Sequence, residues 1–143
     1  MRFMILVPAS KESEAGQLPN AEMLTEMQKF NTELVKAGVM LAGDGLHASA
    51  KGARVTFQGG RKTVVDGPFT ESKELISGFW IWQVRSREEA VEWLKRAPFG
   101  KGGAESVTVE IRQIFDAADF APVDPTGEIL RRDAEMRAEL AKR

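Results

Sequence analysis

A single histidine, His47, stands in a chain of 143 residues that has no cysteine. Histidine is the one side chain whose unperturbed pKa lies near neutrality, which makes His47 the natural acid–base candidate. It follows Gly43-Asp44-Gly45-Leu46, a turn-like run. Position alone leaves two readings open, a pocket residue or an exposed loop residue. With no second His and no Cys, a transition metal would have to lean on carboxylates, so neither a metal nor any other cofactor is expected. The second chemistry-bearing run is Asp66-Gly67-Pro68-Phe69-Thr70-Glu71-Ser72-Lys73-Glu74. Its first three residues suit a turn: Asp accepts local backbone bonds, Gly tolerates unusual angles and Pro fixes φ. If the rest runs extended, Glu71 and Lys73 point to one side and can meet each other or a polar ligand. A generic charged rim explains the same residues equally simply.

These residues need elements to hold them. Arg2 to Val7 reads as a strand apolar on both faces, with Phe3, Ile5 and Val7 on one and Met4 and Leu6 on the other. A polar loop follows. Asn20 is a plausible N-cap for a helix striped by Met23, Met27, Phe30 and Leu34, with Gly38 as its stop. Val39 to Ala42 makes a short strand closed by Gly43-Asp44-Gly45. Arg54–Gln58 and Lys62–Asp66 flank Gly59-Gly60 as a hairpin. In the strand Gly78–Arg85, Phe79 and Ile81 face one way while Trp80, Trp82 and Val84 face the other. Ser86 and Glu89 have capping-box spacing ahead of a helix presenting Ala90, Val91, Leu94 and Ala97, ended by Pro98. Ser106 to Ile114 is the last strand. Asp124-Pro125 opens a charged C-terminal helix with a thin seam of Ile129, Leu130, Met136 and Leu140.

Without the hairpin the order is βαββαβ, the split-βαβ pattern of a ferredoxin-like α+β domain. Two helices cover one face of such a sheet. The strands at 2–7 and 79–84 are apolar on both, so a second copy of the same sheet is expected on the other face. The expected organisation is an α+β domain over residues 1–118, acting as a homodimer, with a helical extension over 119–143.

Twenty Lys plus Arg against 21 Asp plus Glu leave a formal charge of −1, so direct nucleic-acid binding is not expected. The absence of cysteine excludes disulfides and thiolate chemistry and fits a reducing compartment. The start, MRFMILVPAS, reads as a core strand and not as a signal peptide. No segment approaches the roughly 20 apolar residues of a membrane helix. A cytoplasmic protein without membrane contact is expected. Phosphate loops, nucleotide fingerprints and nucleophile motifs are all missing from the chain.

The run DGPFTESKE, followed by SGFWIWQVRSREEAVEWLKRAPF, resembles the DGPF branch of the YCII-related proteins. The likeness extends to GDGLHASAKGARV upstream and VTVEIRQI downstream, covering roughly residues 1–115. The resemblance implies a dimeric α+β barrel made from two ferredoxin-like subunits. It implies no settled activity, although some relatives are encoded beside, or fused to, alternative sigma factors. A His–Asp pair has been suggested as catalytic in the wider group. Carried over, the family's recurring polar residues are His47, Asp66, Glu71, Lys73 and Glu74. The chain departs from the pattern at Gln113, where relatives often show Pro, and in its extension Asp124–Arg143.

On that resemblance His47 and Asp66 are the candidate catalytic pair, with Asp66 orienting the imidazole. Glu71, Lys73 and Glu74 are candidates for binding a small polar ligand. Trp80 or Trp82 either walls the pocket or belongs to the dimer core. Three functions remain: an enzyme using His47 for proton transfer, a non-catalytic metabolite-binding or regulatory partner domain linked to sigma-factor control, and a purely structural dimer.

Overall fold

Alternating side chains decide which face of the first strand is buried. In β1 (Arg2–Pro8) Phe3 and Ile5 are fully enclosed, whereas Met4 and Leu6 are half-buried. The computed structural model describes residues 1–71, 74–100 and 106–143. Within it the chain divides into two compact units, Met1–Gln113 and Ile114–Arg143. In the first unit β1 is followed by α1 (Lys11–Glu14), α2 (Ala21–Lys36), β2 (Met40–Gly45), the hairpin β3 (Ala53–Gln58) and β4 (Arg61–Asp66), β5 (Ile76–Gln83), α3 (Arg87–Lys95) and β6 (Glu110–Gln113).

The result is a mixed α+β unit. Its main sheet has the order β2-β5-β1-β6, with every neighbouring pair antiparallel, and β3 and β4 form a separate ribbon. In the β1–β5 register Ile5 faces Trp80 and Phe3 faces Trp82, so these four share the face that α2 and α3 cover. Phe30 of α2 meets Trp80 and Trp82 edge-on, at 5.7 and 6.1 Å between ring centres. Leu34, Val39, Val84 and Ala90 complete the enclosed core. Burying this much aromatic and branched apolar surface is the main force holding the helices to the sheet.

The helices α2 and α3 start as expected. Asn20 accepts from the Met23 amide at 2.8 Å, and Ser86 accepts from the Glu89 amide at 3.1 Å. Glu89 reaches back to Arg85, whose guanidinium, ahead of any other influence, holds the Glu89 carboxyl below the ordinary glutamate range. Gly38 takes a left-handed φ of 72° after α2, as a helix stop requires.

Several expectations need correction. The stretch after β1 is not simply a polar loop, since Ser10 and Ser13 form a reciprocal capping box around the single turn of α1. Gly43-Asp44-Gly45 does not close β2 as a turn but lies within it, opposite Trp80, Phe79 and Gly78. The strand expected at 78–85 runs Ile76–Gln83, and the last strand is confined to Glu110–Gln113. β1 offers partners only from Phe3 to Leu6 on that side. Trp80 and Trp82 are not dimer core, because their face is the one the helices occupy.

In the second unit, Phe115 and Phe120 pack at 4.9 Å around a 3-10 turn, Ala117–Phe120. Then α4 runs Glu128–Ala141, later than Asp124-Pro125 suggested. Asp124 nevertheless serves its N-terminus: the carboxylate accepts from the amides of Ile129 and Leu130 at 3.3 and 3.0 Å. Among the described residues no helix is long and apolar enough to cross a membrane.

Leu34 has no exposed surface. Leu34→Ala should therefore cost about 2–5 kcal/mol, the range for emptying a core leucine site. Denaturant unfolding followed by circular dichroism measures it, and a loss under about 1 kcal/mol would mean that α2 is not seated as described.

Candidate functional site

β2 finishes beside the start of β5. Gly45 faces Gly78, and the Leu46 amide donates to the Ser77 carbonyl at 2.8 Å, fixing the loop that carries His47. Beside this sheet end lies a cavity of about 710 Å3, within the size range of small-molecule pockets, about 300–1,000 Å3. α1 and its cap contribute Ser10, Glu12 and Ser13; α2 contributes Met23, Leu24, Met27 and Asn31. At the sheet end Trp80 borders it from the helix side, Asp44 and Phe79 belong to the other face of the sheet, and the loop supplies Leu46 and His47. Phe99, beyond α3, closes another part. The residues around it are largely apolar, and its ionisable members Glu12, Asp44 and His47 are all exposed.

Trp80 links the core to the cavity. A buried indole N–H needs an acceptor, and Asn31 Oδ1 accepts from Trp80 Nε1 at 2.9 Å. The ring lies so close to β2 that a Cβ at Gly43 would stand 2.6 Å from its Cδ1 and 2.9 Å from Met40 Cε. Gly43 is therefore glycine because the indole occupies the side-chain space. Trp82, its neighbour on the same face, is fully enclosed, and its Nε1 has no acceptor among the described residues.

A second network positions the His47 loop from behind. Ser49 begins a 3-10 turn, Ser49–Lys51. Its amide donates to Glu14 Oε1 at 2.9 Å, its hydroxyl donates to Glu14 Oε2, and its Oγ accepts from the Phe69 amide at 3.0 Å. One serine thus joins α1, the His47 loop and the Asp66-Gly67-Pro68-Phe69 turn. Gly67 donates to the Gly52 carbonyl at 3.0 Å, and its peptide to Pro68 is cis. A Cβ on Gly67 would fall 1.8 Å from the Ser49 carbonyl oxygen, backbone that cannot move aside cheaply. The Arg54 guanidinium lies 3.9 Å over the Phe69 ring, a cation–π contact. The turn is built to clamp the hairpin base against the Ser49 segment.

His47 is exposed, in the loop after β2, and borders the same cavity as the enclosed Trp80. Asp66 ends β4 opposite Ala53, is exposed and is not among the lining residues; its turn is held to the His47 loop through Ser49. Glu71 and Glu74 are exposed and also absent from the lining. The Glu74 amide donates to the Glu71 carbonyl at 2.9 Å. Lys73 lies outside the described residues. No group of three or more His, Asp or Glu that could hold a metal occurs among the described residues.

Sequence reasoning missed the α1 wall, Asp44 and Asn31. A signal existed for two of these. Ser10 and Ser13 have capping spacing, and Asn31 follows Phe30 on the apolar stripe, where an amide invites the question of what it binds.

An α+β unit with a ligand-sized cavity at one end of its antiparallel sheet is the class defined so far. The YCII-related domain matches residues 1–121, and the chain belongs to that family. No curated protein matches the chain.

The Glu14–Ser49 link gives a pH test. The Ser49 hydroxyl, then its amide, hold Glu14 below the 4.5 of an ordinary glutamate, with burial opposing. A carboxyl depressed on folding adds stability that is complete above its unfolded value and lost as pH falls through its folded one. Protection factors for the Ser49 and Phe69 amides should hold at neutral pH and collapse only below 4.5, ahead of those in β1. In Glu14→Gln the acid step should vanish and the Ser49 amide should exchange faster at every pH. Hydrogen exchange by NMR reads both.

Proposed function

We propose that this protein is a small-molecule-binding homodimer of the DGPF branch in which His47 exchanges a proton with the bound molecule. The observation that carries the reading is the cavity, which sets the chain's only histidine beside an aromatic wall. The run DGPF-x-E-x-K-E supports the branch. A strand order of β2-β5-β1-β6, all antiparallel, supports the ferredoxin-like βαββαβ topology with β3–β4 inserted. Residues 1–118 form the working domain in this reading, with 119–143 as its extension.

The dimer rests on Met4, Leu6, Phe79 and Ile81, half-buried apolar residues on the sheet face opposite α2 and α3. Two such faces packed together give the dimeric α+β barrel. Sedimentation equilibrium of the full chain should report a dimer, and Met4→Lys with Ile81→Lys should report a folded monomer. A monomeric parent chain would remove the barrel.

Asp66 is the proposed orienter of His47, acting through the turn that Ser49 holds. An NMR titration of His47 in the parent and in Asp66→Asn tests the pair. A midpoint away from about 6.5 that moves by half a unit or more on the substitution supports proton transfer assisted by Asp66. A midpoint indifferent to Asp66 sinks the pair and leaves the cavity as a non-catalytic binding site.

A further inference from the structure

The bond between Trp80 and Asn31 leaves half of an amide unused. An indole N–H can only donate, so the Asn31 oxygen has to face it, and chemistry fixes which way the amide lies. Oδ1 accepts at 2.9 Å, and Nδ2, with its two N–H donors, is directed away from the indole nitrogen. Nδ2 has no acceptor among the described residues. Nor is it sealed in: among the described residues the one enclosed side-chain N or O without a partner is Trp82 Nε1. Asn31 borders the cavity, so a donor whose direction the core dictates is open to what enters there.

The surroundings of that donor are apolar. Met23, Met27 and Asn31 recur every fourth residue, so they share one face of α2, and all three border the cavity. Phe99 stands edge-on to Trp80 at 6.1 Å between ring centres and borders the cavity as well. Met27 and Phe99 pack against the enclosed core to which Trp80 belongs, which puts them on the helix side of the sheet with Asn31. Neither lysine nor arginine is among the described lining residues. An anion placed against Asn31 would lose hydration without a counter-charge, whereas a neutral acceptor needs none.

Resting on the small-molecule reading above, we propose that the cavity selects an uncharged carbonyl compound, a ketone, ester or amide with a compact apolar body, and that Asn31 determines this specificity. The carbonyl oxygen accepts from Asn31 Nδ2. The body packs on the adaptable methionines and on the rings of Trp80 and Phe99. Trp80 thereby serves the ligand at one remove, by holding the amide in the orientation that offers a donor.

Acetophenone and ethylbenzene match closely in size and differ at the carbonyl; each is titrated into the full-length protein at pH 7. By NMR, the Asn31 side-chain NH2 signals report on the donor and the Trp80 Nε1–H signal on the cavity. Acetophenone should move both, and ethylbenzene only that of Trp80. Asn31→Asp keeps an oxygen for the Trp80 N–H but removes the donors. It should weaken acetophenone relative to ethylbenzene by about tenfold, the scale of a lost hydrogen bond that leaves its acceptor unpaired. The Trp80 Nε1–H should stay protected from exchange in that variant, showing that the core bond survives. Should the variant not fold, the parent's Asn31 signals decide. Asn31 signals indifferent to acetophenone, or an affinity ratio unchanged by Asn31→Asp, would overturn the proposal while leaving a binding cavity. If neither compound moves the Trp80 signal, the small-molecule reading itself fails along with the proposal.

Discussion

The indole of Trp80 is the contact on which the first unit turns. It is enclosed on the helix side of the sheet, so its N–H has to find an acceptor inside the protein, and Asn31 on α2 provides it. That bond fixes α2 against β5 in both rotation and height, which apolar packing alone does only loosely. The ring then excludes any side chain at Gly43, so β2 passes close beneath it. Trp82 shows the contrast. Its Nε1 has no acceptor among the described residues, so it contributes apolar bulk without a directional bond. Its place is set by shape, against Phe30 and Phe3, and it specifies less than Trp80 does.

The DGPF turn gains a physical reason from the same kind of argument. Gly67 is required by the Ser49 carbonyl, Phe69 offers its amide to Ser49 and its ring to Arg54, and none of these groups lines the cavity. The motif therefore acts on the site through geometry. It clamps the ribbon to the segment that follows His47, while Leu46 is pinned from the other side by Ser77. A ribbon of two strands is marginal by itself, and every residue of β3 and β4 is exposed. The clamp at its base is a tertiary restraint that the ribbon's own exposed strands do not supply.

Much of this was legible in the chain. The stripe Met23, Met27, Phe30 and Leu34 gave α2 because apolar residues at helical spacing have one common face, and two of them are enclosed. Gly59-Gly60 gave the hairpin because both take positive φ, 56° and 81°, which glycine adopts freely. Gly43-Asp44-Gly45 misled for the opposite reason. Its first glycine answers to an indole on the neighbouring strand, a tertiary demand that mimics turn chemistry. Val107 and Val109 continue the alternation of the last strand, but alternation cannot show where the partner strand ends. α1 escaped because four residues cannot carry a periodic signal. The site was legible as His47 and Trp80 and no further, since its other walls come together only through the fold.

The cavity joins two kinds of structure, and this bears on how it can work. Its sheet side is held by paired strands, the Trp80–Asn31 bond and the enclosed core. Its α1 side is one turn with no buried residue, tied down by a capping box and by Glu14 on Ser49. Local opening is cheapest where few apolar contacts are lost. Opening is therefore easier at α1 than along the paired strands. The Ser49 knot ties the two sides together: Glu14 of α1, the segment after His47 and the turn that follows Asp66 all bond to one serine.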